Sequence, residues 1–276
     1  MKRIIHSIND KTKVFYLVLE GKKIGFYLSN RLAKVFFPYL HEGVLVDFEI
    51  QEKTKKIGHE HVYQVAFFEQ IISLDPFHVH YDLHRLRKEM QEVLIQDRYY
   101  LFIDFEMTMP GYKEINFKPE IIQVGYLLSK AKENALLQEG YYVAPLPQTT
   151  LSRRTKKFLS LDELKFYEEA ITYQDFYHKL KKIIDQYHPK LVVWGKNDMT
   201  ALDDSYQIHQ VLPLTFTEDF IDLLKLHKDY FNLKDDLGLF KAYQTYYDVA
   251  IDQSHDAIDD AHVTKLVFDA FISHMV

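Results

Sequence analysis

Apolar and polar residues follow a strand-like pattern in the first part of the chain. Residues 13–19 form a compact apolar run that precedes a Gly-Lys turn, and residues 46–51 alternate between apolar and polar, as a half-buried strand requires. The alternation resumes over 63–67 after a Lys/Gly-rich segment, which predicts a hairpin. Short strands at this spacing predict a small β-barrel or sandwich over residues 1–75.

The pattern changes after the Asp-Pro pair at 75–76. Apolar residues there fall at helical spacing, and we predict a linker helix over 76–97. From residue 98 to residue 276, strand-like runs alternate with helical patterns, two of which follow capping signals at Ser160 and Thr172. The predicted strands are 100–105, 121–128, 141–144 and 191–194. This order predicts an α/β domain with a mixed sheet flanked by helices.

Asp104 and Glu106, at the end of an apolar run, are the first candidates for chemistry. Residues two apart in a strand point to the same side, so both carboxylates share one face while Phe105 packs on the other. Two acids this close repel each other unless a cation lies between them, and Mg²⁺ and Mn²⁺ prefer oxygen ligands. The alternative interpretation is a strand end that emerges into solvent.

Further candidates occur later in the chain. His255 and Asp260 are five positions apart at the start of the last predicted helix, which lets both reach one site but also suits a solvated helix N-terminus. Asp198 follows a buried run and a Gly-containing turn, which predicts a carboxylate at the edge of the sheet where α/β folds bind ligands. Taken alone, Asp198 would also suit a helix cap.

Together these segments resemble the DEDDh class of 3′→5′ exonucleases. Asp104-Phe-Glu-Met-Thr108 matches the D-x-E-x-T signature of that class, and His255 with Asp260 matches its H-x4-D signature. The stretch 104–110, taken with 118–125, is most similar to the KapD-like branch. The resemblance covers roughly residues 98–276 and implies a ribonuclease-H-like fold.

One segment departs from the pattern of much of the class. The second Asp is commonly preceded by Asn-x3-Phe, whereas this chain has Trp-Gly-Lys-Asn before Asp198. The Trp-Gly-x-x-Asp form resembles the KapD-like branch, so Asp198 is our choice. Asp203 and its neighbour Asp204 are the alternatives.

The resemblance also implies roles for the site residues. Two divalent cations, Mg²⁺ or Mn²⁺, are expected to be held by four carboxylates, with Asp104 bridging both ions, Glu106 and Asp260 completing the first and Asp198 serving the second. His255 is expected to act as a general base on the attacking water, and Met107 and Thr108 are expected to contact the terminal nucleotide. The implied activity is hydrolysis of nucleic acid from a 3′ end to nucleoside 5′-monophosphates.

The first 75 residues resemble a cold-shock domain, a barrel of the OB type. The run 40–50 is similar to the strand of that family that reads E-G-x-x-V-x-F, and Gly25-Phe26-Tyr27 is similar to its binding strand. Such a barrel binds single strands by stacking bases on aromatic rings, and the candidates are Phe26, Tyr27 and Tyr63. The alternative is that these rings form the core of a small barrel. The resemblance favours single-stranded RNA as the substrate.

Composition adds several limits. The chain has no cysteine, which excludes disulfides and thiolate metal sites, and its net charge of −6 does not exclude a nucleic-acid partner because bound cations offset acidic ligands. We expect a cytoplasmic protein with no membrane partner, since the sequence has neither a leader-like start nor a long apolar run. The basic cluster over 153–157 either touches the substrate backbone or forms a solvated helix face. A DNA-directed exonuclease and an exonuclease-like binding protein with little turnover are the alternative functions.

Overall fold

The computed structural model describes residues 1–73, 81–111, 117–231, 233–249 and 255–275. These residues form two compact units, Met1–Val93 and Leu94–Val276. A helix, Leu83–Leu94, lies within the predicted linker segment 76–97, whose first residues are outside the described ranges. None of the helices in the described ranges has the length and apolar character needed to cross a membrane.

The first unit is built on one seven-stranded sheet. Its strands are β1 (Lys2–Ile4), β2 (Ser7–Asn9), β3 (Val14–Leu19), β4 (Lys22–Tyr27), β5 (Leu45–Ile57), β6 (Glu60–Ile72) and β7 (Tyr81–Asp82). Helix α1 (Asn30–Phe36) continues into a 3-10 turn (Phe37–Tyr39), and helix α2 is Leu83–Leu94. The predicted hairpin is present, because β5 and β6 pair up to Ile57 and Glu60.

The strand order of this sheet closes on itself. It runs β1-β5-β6-β4-β3-β2, and β1 and β2 are consecutive in the chain, so the segment 2–9 pairs with β5 at one end and with β3 at the other. The described residues inside the sheet form a core rich in phenylalanine, with Phe48 in edge contact with Phe15 and Phe26 at ring-centroid distances of 5.3 and 5.0 Å. This arrangement is consistent with the predicted OB-type barrel.

The second unit is a mixed five-stranded sheet with helices on its faces. Its strands are β8 (Tyr100–Met107), β9 (Ile121–Ser129), β10 (Leu137–Tyr142), β11 (Lys190–Val193) and β12 (Phe220–Asp222). Its helices are α3 (Arg153–Phe158), α4 (Glu163–Glu169), α5 (Tyr173–Tyr187), α6 (Asn197–Ile208), α7 (Leu223–Tyr230), α8 (Leu239–Tyr247) and α9 (Ala257–Met275), and a 3-10 turn (Thr217–Asp219) precedes β12.

The central strand of this sheet is β8. The order is β10-β9-β8-β11-β12, with antiparallel pairing from β10 to β8 and parallel pairing from β8 to β12. One face of β8 packs Phe105 against Phe176 of α5, and the other packs Phe102 against Phe268 of α9. The α/β class and the ribonuclease-H-like mixed sheet predicted from the sequence are confirmed.

Two local predictions in this unit were wrong. Helix α4 begins at Glu163 and is capped by Asp162, whose carboxylate accepts from the Leu164 and Lys165 N–H groups, while Ser160 adopts a left-handed φ of 48° and does not cap it. The third strand is Leu137–Tyr142 and not 141–144, because it pairs residue by residue with β9. The cap at Thr172 is confirmed, since its hydroxyl accepts from the Asp175 N–H at 3.1 Å.

Candidate active site

Strand β8 supplies the first two carboxylates. Asp104 and Glu106 are half-buried on one side of the strand, and Phe105 between them lies in the core on the other side. Strand β11 pairs with β8 only as far as Phe102, so the two strands are not paired beside Asp104 and Glu106. At these two residues β8 is therefore open on the side of β11, while β9 still pairs with it on the other side.

Helix α9 supplies the third carboxylate. Asp260 lies in the first turn of the helix and is 6% exposed. One carboxylate oxygen each from Asp104, Glu106 and Asp260 lie within 4.8 Å of one another. The structure thus brings together three of the four predicted acids from two elements that are more than 150 residues apart in the sequence.

A pair of glycines lets α9 approach the sheet. Gly125 of β9 lies opposite Asp104 of β8, and a Cβ atom on Gly125 would lie 2.2 Å from backbone atoms of Ala257 and Ile258. Gly140 is the partner of Gly125 on β10, and a Cβ atom there would lie 2.9 Å from the Ile258 side chain. Because Gly125 has no side chain, the start of α9 lies directly against β9. Asp260 can therefore reach the carboxylates of β8.

Asp198 is placed beside these acids by α6. It lies in the first turn of that helix, is 6% exposed and accepts a hydrogen bond from the Phe105 N–H at 3.0 Å. This bond satisfies a strand N–H that has no partner strand and holds the Asp198 carboxylate against the backbone of β8 at Phe105. The alternative Asp203 is exposed on the same helix.

The four acids open into a cleft of about 480 Å³. Met107 also lines this cleft, and its contact with the terminal nucleotide stays a prediction. Other lining residues come from the segment between the end of β11 and the start of α6, and from the start of α8: Trp194, Asn197, Gly238, Leu239, Phe240 and Lys241. No pattern in the sequence marked the start of α8, because its residues become part of the site only through the tertiary fold.

The carboxylates of the cleft destabilise one another's charged forms. Burial, followed by the charges of Asp198, Asp260 and Glu106, raises the pKa of Asp104 well above its ordinary value. Burial and the charge of Asp260 raise the pKa of Glu106 to about 8. Burial also raises the pKa of Asp198, against the opposing effect of the hydrogen bond from the Phe105 N–H. A set of hard oxygen ligands whose charges repel in this way fits divalent cations such as Mg²⁺ and Mn²⁺.

This repulsion predicts that the cation-free protein loses stability as pH rises. A carboxyl group with a raised pKa in the folded state binds more protons than in the unfolded state, so the stability present below about pH 4.5 is lost as pH rises towards 8. One pKa unit corresponds to about 1.4 kcal/mol, and we expect a melting temperature lower by roughly 5 °C at pH 8 than at pH 5.

Thermal denaturation in EDTA and in Mg²⁺ measures this effect. Mg²⁺ should raise the melting temperature more at pH 8 than at pH 5, because the carboxyl groups must lose their protons to bind it. Glu106→Gln should reduce the pH dependence in EDTA. The electrostatic description of the cleft would be contradicted if, without cations, the wild type and Glu106→Gln each had the same stability at pH 5 and at pH 8.

His255 lies outside the cluster of three carboxylates. It directly precedes Asp256, has a left-handed φ of 52° and packs its ring against Phe158 with a centroid distance of 4.2 Å. Asp256 directly precedes α9, and its carboxylate accepts hydrogen bonds from the Ile258 N–H at 3.0 Å and from the Gln123 side chain at 2.8 Å. The general-base role of His255 therefore stays a prediction.

The hydrogen bonds of Thr108 in the structure are bonds to the protein backbone. It is buried, its hydroxyl accepts a hydrogen bond from the Glu120 N–H at 2.9 Å, and its own N–H donates to the Glu120 carbonyl at 2.8 Å. These bonds extend the pairing of β8 beyond Met107. A contact between Thr108 and the terminal nucleotide stays a prediction.

The aromatic candidates of the first unit divide into two kinds. Phe26 is 1% exposed and belongs to the core, so the prediction that it stacks on a base is wrong; alternation along β4 turns it inward. Tyr63 is 38% exposed. Tyr27 is half-buried, donates its hydroxyl to Gln64 at 2.8 Å and has the Lys55 amino group 5.8 Å from its ring centroid.

The fold and the acidic cluster define a nuclease of the DEDDh type with a ribonuclease-H-like sheet. Residues 101–268 match the Exonuclease (RNase_T) family over more than half of the chain. The chain belongs to this exonuclease family. The resemblance to DEDDh 3′→5′ exonucleases stated from the sequence is therefore confirmed, and the protein is a nuclease.

Similar proteins cover the second unit of the chain. A Bacillus subtilis (strain 168) protein described as probable 3′-5′ exonuclease KapD is 32% identical over 170 residues, which are 61% of this chain and 82% of that protein. The nuclease domain of 3′hExo, a DEDDh family member bound to rAMP, has a TM-score of 0.56 at 18% identity over 64% of this chain and 92% of that one. E. coli Exonuclease I with a 5cy-dT13 oligonucleotide has a TM-score of 0.50 at 15% identity over 64% and 41%. At these identities the two structures support the fold.

Proposed function

We propose that the chain hydrolyses single-stranded nucleic acid from its 3′ end, one nucleotide at a time, and releases nucleoside 5′-monophosphates. The observation that carries the proposal is the convergence of carboxylate oxygens from Asp104, Glu106 and Asp260 within 4.8 Å, beside the buried Asp198. The similarity to the Bacillus subtilis protein described as a probable 3′-5′ exonuclease supports the direction of hydrolysis.

Two divalent cations, Mg²⁺ or Mn²⁺, fit this set of ligands. Asp104 would be shared by both ions, Glu106 and Asp260 would complete one set of ligands, and Asp198 would contribute to the other. When bound, a pair of such ions supplies Lewis acidity towards the phosphoryl oxygens and lowers the pKa of the attacking water. The chain itself contributes the spacing of the acids and, through the Phe105 N–H, the orientation of Asp198.

His255 is the proposed general base. Its imidazole would accept a proton from the attacking water at one ring nitrogen. Phe158 packs on this ring and restricts its position. The left-handed backbone at His255 turns the chain immediately before α9. Asp260 lies in the first turn of that helix, five residues after the histidine.

We expect His255→Ala to reduce the hydrolysis rate by about 10²- to 10⁴-fold, the usual contribution of a positioned base. Cation binding should persist, because the four carboxylates are unchanged, and titration calorimetry with Mn²⁺ measures it. His262→Ala is the matched control, since His262 is exposed on α9. A His255→Ala enzyme as fast as the control would remove His255 from the mechanism.

Single-stranded RNA is the proposed preferred substrate. The support comes from the barrel of the first unit, where Tyr27 and Tyr63 remain as stacking candidates, and from the structural similarity to a nuclease domain bound to rAMP. The similarity to an exonuclease bound to a dT13 oligonucleotide favours a DNA-directed enzyme as the second candidate. The location proposed for this activity is the cytoplasm.

The test uses matched RNA and DNA oligonucleotides, single-stranded and double-stranded, with Mg²⁺, Mn²⁺ or EDTA. A 5′ label should give a ladder that shortens by one nucleotide, whereas a 3′ label should be released at once as a mononucleotide. Faster hydrolysis of DNA would support the second candidate. Binding of oligonucleotides without any hydrolysis in either metal would contradict the proposal and favour the exonuclease-like binding protein.

A further inference from the structure

The second unit contains a second and larger cleft, of about 920 Å³, which we call the basic groove. Three cationic residues line it: Lys118, Arg153 and Arg154. The rest of its lining includes Pro110, Thr149 and Thr150. All three cationic side chains belong to exposed residues, so they are available to a ligand in solution.

Two chain segments connect the basic groove with the acidic cleft. Strand β8 carries Asp104 and Met107 in the cleft, the chain after it reaches Pro110 in the groove, and the three residue steps from Met107 to Pro110 span at most about 10 Å. Helix α3 has Arg153 and Arg154 at its start and ends at Phe158, which packs on His255. The two segments are also joined to each other, because the Met109 N–H donates to the Thr155 hydroxyl at 2.9 Å.

The wall of the groove is held by a buried carboxylate. Glu120 is buried and accepts hydrogen bonds from the Leu146 N–H at 2.7 Å and from the Thr149 hydroxyl. His209, stacked on Tyr173, lies 3.9 Å from the same carboxylate. The charge of Glu120 is therefore engaged by donors of the protein, and the groove presents its exposed cationic groups to solvent.

The charges of the 153–157 cluster have different environments. Lys156 forms an ion pair with Glu163 at 2.8 Å, and Thr155 is buried, whereas Arg153 and Arg154 line the groove. An arginine side chain presents several donors that match phosphate oxygens. In a chain with a net charge of −6, this groove places positive charge next to the acidic cleft.

We propose that the basic groove binds the phosphates of the substrate strand that lie upstream of the scissile nucleotide, through Arg153, Arg154 and Lys118. The inference rests on the proposed function: an enzyme that removes the 3′-terminal nucleotide leaves all the remaining phosphates on the 5′ side. At the 3.4 Å rise of a stacked strand, about 10 Å corresponds to about three nucleotides, and to fewer in an extended strand. The groove thus lies within reach of the first upstream phosphates.

The test compares a dinucleotide with a 12-mer of the same base. The dinucleotide has only the scissile phosphate, so it has no upstream phosphate for the groove. For Arg153→Gln/Arg154→Gln we expect the KM of the 12-mer to rise roughly tenfold at moderate salt, with kcat unchanged. The slope of log KM against log salt should fall by about 1.4, or 0.7 for each lost contact to a single strand. Cleavage of the dinucleotide should be unchanged.

Lys182→Gln is the control for the loss of an exposed positive charge, and its charge change matches that of the single variant Lys118→Gln. Lys182 is exposed on α5, near Tyr187, which packs on Tyr99 at the opposite end of β8 from the acids. Lys118→Gln is a second variant, outside helix α3, and should show about half of the change in salt slope of the double variant.

The outcomes separate this inference from the proposed function. A wild-type enzyme that cleaves neither substrate would contradict the function itself. The role of the groove would be overturned by a different result. In that case the wild-type enzyme cleaves both substrates, but the groove variants have the same KM and salt slope on the 12-mer as Lys182→Gln. Equal losses on the dinucleotide and the 12-mer would also overturn it, because they would show that the arginines act on the acidic cleft.

Discussion

Asp104→Asn is expected to reduce phosphodiester hydrolysis by about 10³-fold or more, since Lewis-acid catalysis contributes several kcal/mol and each 1.4 kcal/mol is a factor of ten. Asp104 belongs to the acidic cluster, where its pKa is raised by burial and by four neighbouring carboxylates. The amide keeps the shape of the side chain but removes the charge that a shared cation requires. Initial rates on a labelled 12-mer, with Mg²⁺ and with Mn²⁺, measure the loss.

A stability measurement distinguishes this loss from misfolding. In EDTA at neutral pH, Asp104→Asn should be at least as stable as the wild type, because the substitution removes a buried charge that its neighbours repel. Asp97→Asn is the matched control, since Asp97 is 86% exposed and pairs with Lys130 on the surface. Full activity of Asp104→Asn, after removal of contaminating nucleases, would show that the site is elsewhere.

Gly125→Ala is expected to have the second large effect, through backbone geometry instead of charge. The added methyl group would lie 2.2 Å from the backbone at Ala257 and Ile258, so the start of α9 must move away from β9. We expect a loss of about 3 kcal/mol in the free energy of unfolding, as for other overpacked cores. Activity should fall by roughly 10²-fold, because Asp260 moves with the helix and a displacement of 1 Å at a site has that effect.

Gly140→Ala provides a graded comparison. Its added methyl group would lie 2.9 Å from the Cβ atom of Ile258, so the start of α9 must again shift, but by less than for a methyl group 2.2 Å from the backbone at Gly125. The loss of stability should therefore be smaller than for Gly125→Ala, and activity should remain within a few fold of the wild type. Urea denaturation and rates at saturating Mg²⁺ measure both. Equal effects at the two glycines would contradict the importance of the backbone contact at Gly125.

The sequence predicted β8 and its acids well, for a physical reason. A strand covered on both faces is apolar almost throughout, so the two acids that end it are conspicuous, and the period of two places Asp104 and Glu106 on one face. The convergence of Asp260 with them could not be read from periodicity. It was predicted only through the resemblance to a known class, and it depends on the contact between α9 and Gly125.

The elements that the sequence did not predict are short or depend on tertiary contacts. Strand β12 has three residues and pairs in parallel with β11, which leaves too few positions for an alternating pattern. Helix α1 is seven residues long and begins after Ser29, whose hydroxyl accepts from the Leu32 N–H. The sequence left open whether Phe26 stacks on a base or joins the core of the barrel, because alternation gives two faces but does not identify the one that turns inward.

The origin of the acids in distant elements has a consequence for biosynthesis. β8, α6 and α9 are made in that order, and Asp260 lies on the helix that follows every other described element of its unit. A growing polypeptide that has not yet docked α9 holds an incomplete set of ligands, and its two acids on β8 repel each other. We therefore expect a ribosome-bound or proteolytically clipped form without a docked α9 to lack nuclease activity until folding of the unit is complete.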